Sequence, residues 1–154
     1  LSLGSQEWTV LHTPGHHPEH ICLHSEAGLI AGDMVAGIGT ILIPPGQGDM
    51  EVYLDQLERL RELDPHLVFP SHGAVIPLPE KKFNHYISHR VKRHQRVLNA
   101  LEEGMASLED ISRFAYEDTP DAHPGLAADQ TLSHLLSHEK RKSVVRVENG
   151  WRIA

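Results

Sequence analysis

Three apolar runs in this chain each stop at a glycine with a metal-grade side chain beside it: His12-Thr13-Pro14-Gly15-His16, Gly32-Asp33 and Ser71-His72-Gly73. Each lies where a strand-like stretch ends or a turn begins. Neutral imidazole and carboxylate are the ligands zinc takes when no thiolate is on offer, and hydrolytic zinc sites keep a position open for water. Three ligands on adjacent strand ends can converge on one edge of a sheet, where a carboxylate can bridge two ions. The spacing thus favours an α/β fold with its chemistry at strand termini.

The pattern around these segments supplies the elements. Trp8 to Leu11 alternates weakly and delivers His12 to a Thr-Pro-Gly turn. Ile21 to His24 and Leu29 to Ala31 read as two further strands around the turn Glu26-Ala27-Gly28. Residues 34 to 48 hold four glycines and two prolines, and a loop of that length is expected to be functional or mobile. Asp49 is a good N-cap for a helix to Leu63, with Tyr53, Leu57 and Leu60 on one face. Leu67 to Phe69 is a short buried strand, and strand–helix–strand is the pattern of an α/β sandwich.

Composition shifts near residue 79. Pro79 opens a long helix with Phe83, Ile87, Val91, His94, Leu98 and Leu101 at helical spacing, and Gly104 is a natural stop. Ser107-Leu108-Glu109-Asp110 resembles a capping box for a second helix. A third helix follows from about Leu126 to His138, and Glu148-Asn149-Gly150 signals a hairpin between Ser143–Val147 and Trp151–Ile153. Three helices and a hairpin in that order are those of an α+β winged helix. The expected divisions are 1–78, a connecting helix over 79–103, and 104–154.

Length allows one compact domain or one and a half smaller ones, and 40% apolar with 23% charged residues fits a globular chain. No apolar run approaches the roughly 18 residues of a membrane helix. The start lacks a secretory pattern and an initiator Met, so the true N-terminus is expected upstream. Cys22, the single cysteine, reads as a buried core thiol, and the simplest compartment is a reducing cytoplasm. A net charge of −7 argues against a general nucleic-acid coat.

Thirteen histidines are present, and most are not ligands on this reading. His12 and His20 are candidates for orienting a ligand through its far side. His16-His17-Pro18-Glu19-His20 matches the helical zinc motif H-x-x-E-H, but Pro18 breaks the helix that motif requires. His85, His89, His94, His134 and His138 read as solvated or satisfied packing residues.

The stretch Thr13-Pro14-Gly15-His16 to Gly73 resembles motifs three, four and five of the metallo-β-lactamase superfamily. Tyr86-Ile87-Ser88-His89-Arg90, the basic helix after it and the winged-helix pattern are similar to the endoribonuclease-type subgroup of beta-lactamase-like protein 2. The resemblance implies a two-zinc site in which His16 binds one ion, Asp33 bridges both and His72 binds the second, with metal-bound water as the nucleophile. It also implies the C-terminal half of an αββα sandwich. The family's His-x-His-x-Asp-His run is absent, so the chain is expected to be a fragment, inactive alone, whose uncovered sheet associates with the missing N-terminal half or with a second copy.

Zinc-dependent phosphodiester hydrolysis in RNA is the leading expectation for the parent protein. Two basic clusters bear on it: Arg90, Lys92, Arg93 and Arg96 on the long helix, and Lys140, Arg141, Lys142 and Arg146 near the hairpin. A single-stranded RNA partner would use the second. The alternatives are a thioester, lactone or other small ester bound beside residues 34–48, as in glyoxalase II-like relatives, or a winged-helix binding or dimerisation module. The third helix is nearly uncharged on its exposed face, which suits packing better than base reading.

Overall fold

The computed structural model describes residues 1–154. A small hairpin, β1 (Ser2–Leu3) and β2 (Gln6–Glu7), precedes a four-stranded sheet. That sheet runs in the order β3 (Thr9–His12), β4 (Ile21–Ser25), β5 (Gly28–Gly32), β6 (Val68–Pro70). The first three strands pair antiparallel, while β5 and β6 are parallel, with Leu29 opposite Val68 and Ile30 opposite Phe69. A parallel pair needs a long crossover, and α1 (Met50–Glu62) lies within it. Helices α2 (Pro79–Glu102), α3 (Leu108–Ala115) and α4 (Pro124–Lys140) follow, then the hairpin β7 (Val144–Val147) and β8 (Gly150–Ile153).

Helix α1 starts where expected, because the Asp49 carboxylate accepts hydrogen bonds from the amides of Glu51 and Val52 at 3.0 and 3.1 Å. Its buried Tyr53, Leu57 and Leu60 join Cys22, Leu29, Ala31 and Val68 of the sheet and Phe83 and Tyr86 of α2 in one core. A second core holds Val97, Ala100 and Leu101 of α2, Ile111 and Ala115 of α3, Leu135 of α4, and Val144 and Trp151 of the hairpin. Helix α2 therefore contributes to both. Strand registers align Val10, Leu23, Ile30 and Phe69 in an apolar row across the opposite face of the sheet, where none of the four is buried.

Four sequence expectations are corrected. Residues 34–48 are a packed segment, with Met34, Val35, Ala36, Ile41 and Ile43 in the core. Tyr53 Oη donates to the Met34 carbonyl at 2.7 Å, and Tyr86 Oη bonds both the Ala36 amide and the Gly39 carbonyl. The inward face of α2 does not follow Val91, which is 55% exposed, but runs through buried Arg90 and Arg93. Both guanidiniums find acceptors inside, Arg90 in Gln130 and the Ile41 carbonyl, Arg93 through its terminal nitrogens in Asp118, Thr119 and the Ala115 carbonyl, while Arg93 Nε is left without a partner. Helix α4 starts at Pro124 rather than Leu126. The hairpin pairs Val147 with Gly150, leaving Glu148-Asn149 as its loop. A Cβ at Gly150 would fall 2.0 Å from the Ala106 carbonyl oxygen, which accepts from the Trp151 amide, so this contact sets the register.

No helix is long and apolar enough to cross a membrane. Cys22 is buried as expected, and burial pushes its thiol up to about 11.

His94, His134 and His138 are not solvated but form a buried cluster between α2 and α4. His94 Nδ1 meets His134 Nδ1 at 2.5 Å, and the His94 and His138 rings lie 4.1 Å apart. Burial, then neighbouring positive groups, depress all three, His94 to about 3. The unfolded chain binds these protons near the ordinary histidine value of about 6.5 and the folded chain only below it, so stability is lost as pH drops through that window. Thermal unfolding should show stability constant above about pH 7 and falling below about 6.5, by up to about 1.4 kcal/mol per pH unit for each imidazole. His134→Leu should flatten that slope; an unchanged slope would exclude the cluster as its source.

Candidate metal centre

Strand β3 leads into the turn Thr13-Pro14-Gly15-His16, which lies directly on α1. Gly15 has φ +133, and a Cβ there would sit 2.4 Å from Tyr53 Cα, so only glycine lets the turn approach the helix. The Gly15 carbonyl accepts from the amide of the N-cap residue Asp49 at 2.8 Å, which ties turn and helix together. His16 then projects with Nδ1 2.7 Å from the Leu42 carbonyl oxygen. A carbonyl only accepts, so Nδ1 carries the proton and Nε2 presents a lone pair.

Asp33 follows the end of β5, where the pairing with β6 is irregular between Ile30 and Gly32. Its amide donates to His20 Nε2 at 3.0 Å, and His20 Nδ1 lies 2.8 Å from Thr13 Oγ1. With Nε2 accepting, His20 donates from Nδ1 to Thr13. Burial, and then His16, lower its pKa, so it serves as a neutral brace between the turn and Asp33. His12 is placed differently: its Nε2 bonds the Pro18 carbonyl at 2.8 Å on the exposed side of the same turn. The Ser71 amide donates to the Gly32 carbonyl at 3.1 Å, holding the ends of β6 and β5 together and bringing His72 alongside.

These strand ends set His16 Nε2 3.7 Å from Asp33 Oδ2 and His72 Nε2 3.3 Å from Asp33 Oδ1. The three residues assigned from sequence are thus neighbours, each imidazole facing a different oxygen of one carboxylate. His72 is 69% exposed, His16 25% and Asp33 30%, so the group opens to solvent on the His72 side. Asp33 Oδ1 is buried and takes no hydrogen bond. A buried carboxylate oxygen without a donor is costly, and the His16 lone pair faces the same carboxylate. Acceptors pointed at one another need a shared proton or a cation between them, so this donor set fits a divalent metal. The side chains do not themselves enclose an ion: no group of three or more His, Cys, Asp or Glu is arranged to hold one.

The other assigned residues are placed elsewhere. Lys140 pairs with Asp49 at 2.7 Å, Arg141 with Glu51, and Arg146 with Glu139 at 3.7 Å while lying over the Trp151 ring. Lys142 follows α4 with φ +60. In the α2 cluster, Lys92 and Arg93 share Asp118, and Arg96 reaches Glu117. His85 and His89 stack along α2 with ring centroids 6.2 Å apart, and burial, then Arg90, lowers His89 to about 4. Sequence reasoning missed Leu42, whose carbonyl orients His16, and Tyr53 and Tyr86, which pin residues 34–39. A backbone acceptor carries no sequence signal, and the tyrosines look like ordinary helix-face aromatics.

Residues 1–72 match the family model described as "Metallo-beta-lactamase superfamily". The chain is 33% identical over 146 residues to a Drosophila melanogaster protein named "Beta-lactamase-like protein 2 homolog", covering 92% of this chain and 48% of that protein. It is 36% identical over 92 residues to the "Atrochrysone carboxyl ACP thioesterase" of Aspergillus fumigatus, covering 58% of this chain and 28% of that protein. Among solved structures, a beta-lactamase domain protein from Burkholderia ambifaria superposes over 100% of this chain and 50% of its own, with TM-score 0.87 and 27% identity. The chain spans about half the length, or less, of the curated relatives it matches.

Zinc titration of the purified chain should show binding that weakens at least tenfold in His16→Ala and His72→Ala and most in Asp33→Asn, which removes the shared charge. Equal binding by all four proteins would remove these residues as ligands.

Proposed function

Because the chain belongs to the metallo-beta-lactamase superfamily, we propose that it carries part of the metal centre of a hydrolase, with His16, Asp33 and His72 as zinc ligands and Asp33 shared between two ions. The observation that supports this most is the Asp33 carboxylate set between two imidazoles, with its Oδ1 buried and without a hydrogen bond. Zinc bound there would supply Lewis acidity and activate water near neutral pH. The chain's own residues fix the geometry: His20 holds the Asp33 backbone, the Leu42 carbonyl sets the His16 tautomer, and the Ser71 amide aligns β6 with β5.

On this reading the remaining ligands come from an N-terminal half, and that half covers the apolar row Val10, Leu23, Ile30 and Phe69. A second copy docked there would give a homo-oligomer instead. The C-terminal half of α2, with α3, α4 and the β7–β8 hairpin, is read as a winged-helix-like unit, supported by the order of elements and their shared core. It serves for packing rather than base reading, since α4 is largely buried against the rest of the chain. The lone buried thiol, Cys22, fits a reducing cytoplasm.

The placement of the cations bears on substrate class. Single-stranded RNA needs free Lys and Arg side chains to neutralise phosphates. Seven of the eight basic residues in the two clusters are engaged within the chain, leaving Lys142. That favours a small ester, above all a thioester, over a phosphodiester, and the thioesterase name of one relative is in line with it. The chain joined to its N-terminal half should hydrolyse members of a thioester panel in a zinc-dependent way, lost in Asp33→Asn. Cleavage of single-stranded RNA, with a steep loss of affinity as salt rises and no thioester turnover, would overturn the substrate assignment.

A further inference from the structure

The segment Ile41-Leu42-Ile43 is held on two sides by different parts of the chain. On one side α2 and α4 grip its backbone. Gln130 Oε1 accepts from the Ile43 amide at 3.3 Å, and Gln130 Nε2 donates to the Ile43 carbonyl at 2.9 Å. The side-chain amide thus occupies the place of a neighbouring strand, meeting donor and acceptor of one residue. Arg90 fixes that amide through a 2.6 Å bond to Oε1 and also donates to the Ile41 carbonyl, while Ser133 Oγ donates to the Ile43 carbonyl at 2.7 Å. Arg90, Gln130 and Ser133 are all buried. The only acceptor of this tripeptide facing the other way is the Leu42 carbonyl, and it receives His16 Nδ1 at 2.7 Å.

We infer that Gln130 of α4 is a positioning residue for the metal ligand His16: by clamping Ile43 it aims the Leu42 carbonyl at His16 Nδ1, which places the proton there and leaves Nε2 free for a cation. This rests on reading His16 as a ligand. Without the clamp, the Leu42 carbonyl can turn away and the imidazole can carry its proton on Nε2, the nitrogen that faces Asp33. The C-terminal helices then act on the centre without touching it, through one peptide unit. The amide is suited to this because it offers one donor and one acceptor in a plane. Glutamate would place a second acceptor against the Ile43 carbonyl, and leucine would leave the Ile43 amide and an Arg90 N–H buried without partners.

The test uses the 154-residue chain and two readouts: the His16 tautomer from imidazole nitrogen shifts without metal, and zinc affinity by titration. Wild type should hold the Nδ1–H form. Gln130→Leu and Gln130→Glu should give mixed tautomers and zinc affinity lower by about 10- to 100-fold. Val144→Ala, which opens a cavity in the second core and removes none of the hydrogen bonds to residues 41–43, should lower stability and leave both readouts as in wild type. If Gln130→Leu does not fold, Gln130→Glu and Ser133→Ala carry the comparison. Gln130 variants that fold and keep the wild-type tautomer overturn the inference, as does an equal loss of affinity in Val144→Ala. Wild type and His16→Ala binding zinc equally would instead refute the ligand reading, and the tautomer readout alone would then decide the role of Gln130.

Discussion

The parallel pairing of β5 with β6 is the constraint on which the rest of the molecule depends. It places two C-terminal strand ends side by side, joined by the bond from the Ser71 amide to the Gly32 carbonyl. Asp33 and His72 are each one or two residues beyond those ends, so their meeting follows from backbone pairing rather than from side-chain choice. The crossover brings α1 under the sheet, and α1 supplies the surface on which Gly15 seats the His16 turn. One strand pairing and one close contact thus bring together residues far apart in the chain.

Around this edge the polar groups are arranged in relays. Thr13 holds His20, His20 holds the Asp33 amide, and Arg90 with Gln130 holds the strap that orients His16. In a low-dielectric interior such chains are stable only when every member is satisfied. The buried members nearly all are; the exception at the candidate centre is Asp33 Oδ1. The contrast between a braced surrounding and one orphaned acceptor is what makes that oxygen informative.

Much of this was legible in sequence where short-range rules govern. The Asp49 cap, the Tyr53–Leu57–Leu60 face, the strands that end shortly before Asp33 and His72, and the Asn-Gly hairpin all depend on neighbours within a few residues. The rest was hidden because distant partners decide it. Arg90 and Arg93 read as members of a basic cluster, and distant acceptors make their burial tolerable: Gln130 and the Ile41 carbonyl for Arg90, Asp118, Thr119 and the Ala115 carbonyl for Arg93. The glycines and prolines of residues 34–48 suggested a functional or mobile loop, whereas Met34, Val35, Ala36, Ile41 and Ile43 pack it into the core. For His94, His134 and His138 the sequence left solvated and packed readings both open, because α4 buries Gln130, Thr131, Ser133 and Ser137 as well and so lacks a clear apolar stripe. The second basic cluster read as a patch for RNA, yet three of its four members pair with acidic groups of this chain.

The measurement that bears most directly on the account is anomalous diffraction at the zinc edge from crystals of this chain grown with zinc. The account predicts a peak about 2.0–2.2 Å from an Asp33 carboxylate oxygen, shared with His16 Nε2 or His72 Nε2. A map with no peak at that strand edge, and zinc only on other histidines such as His85 and His89, would contradict it.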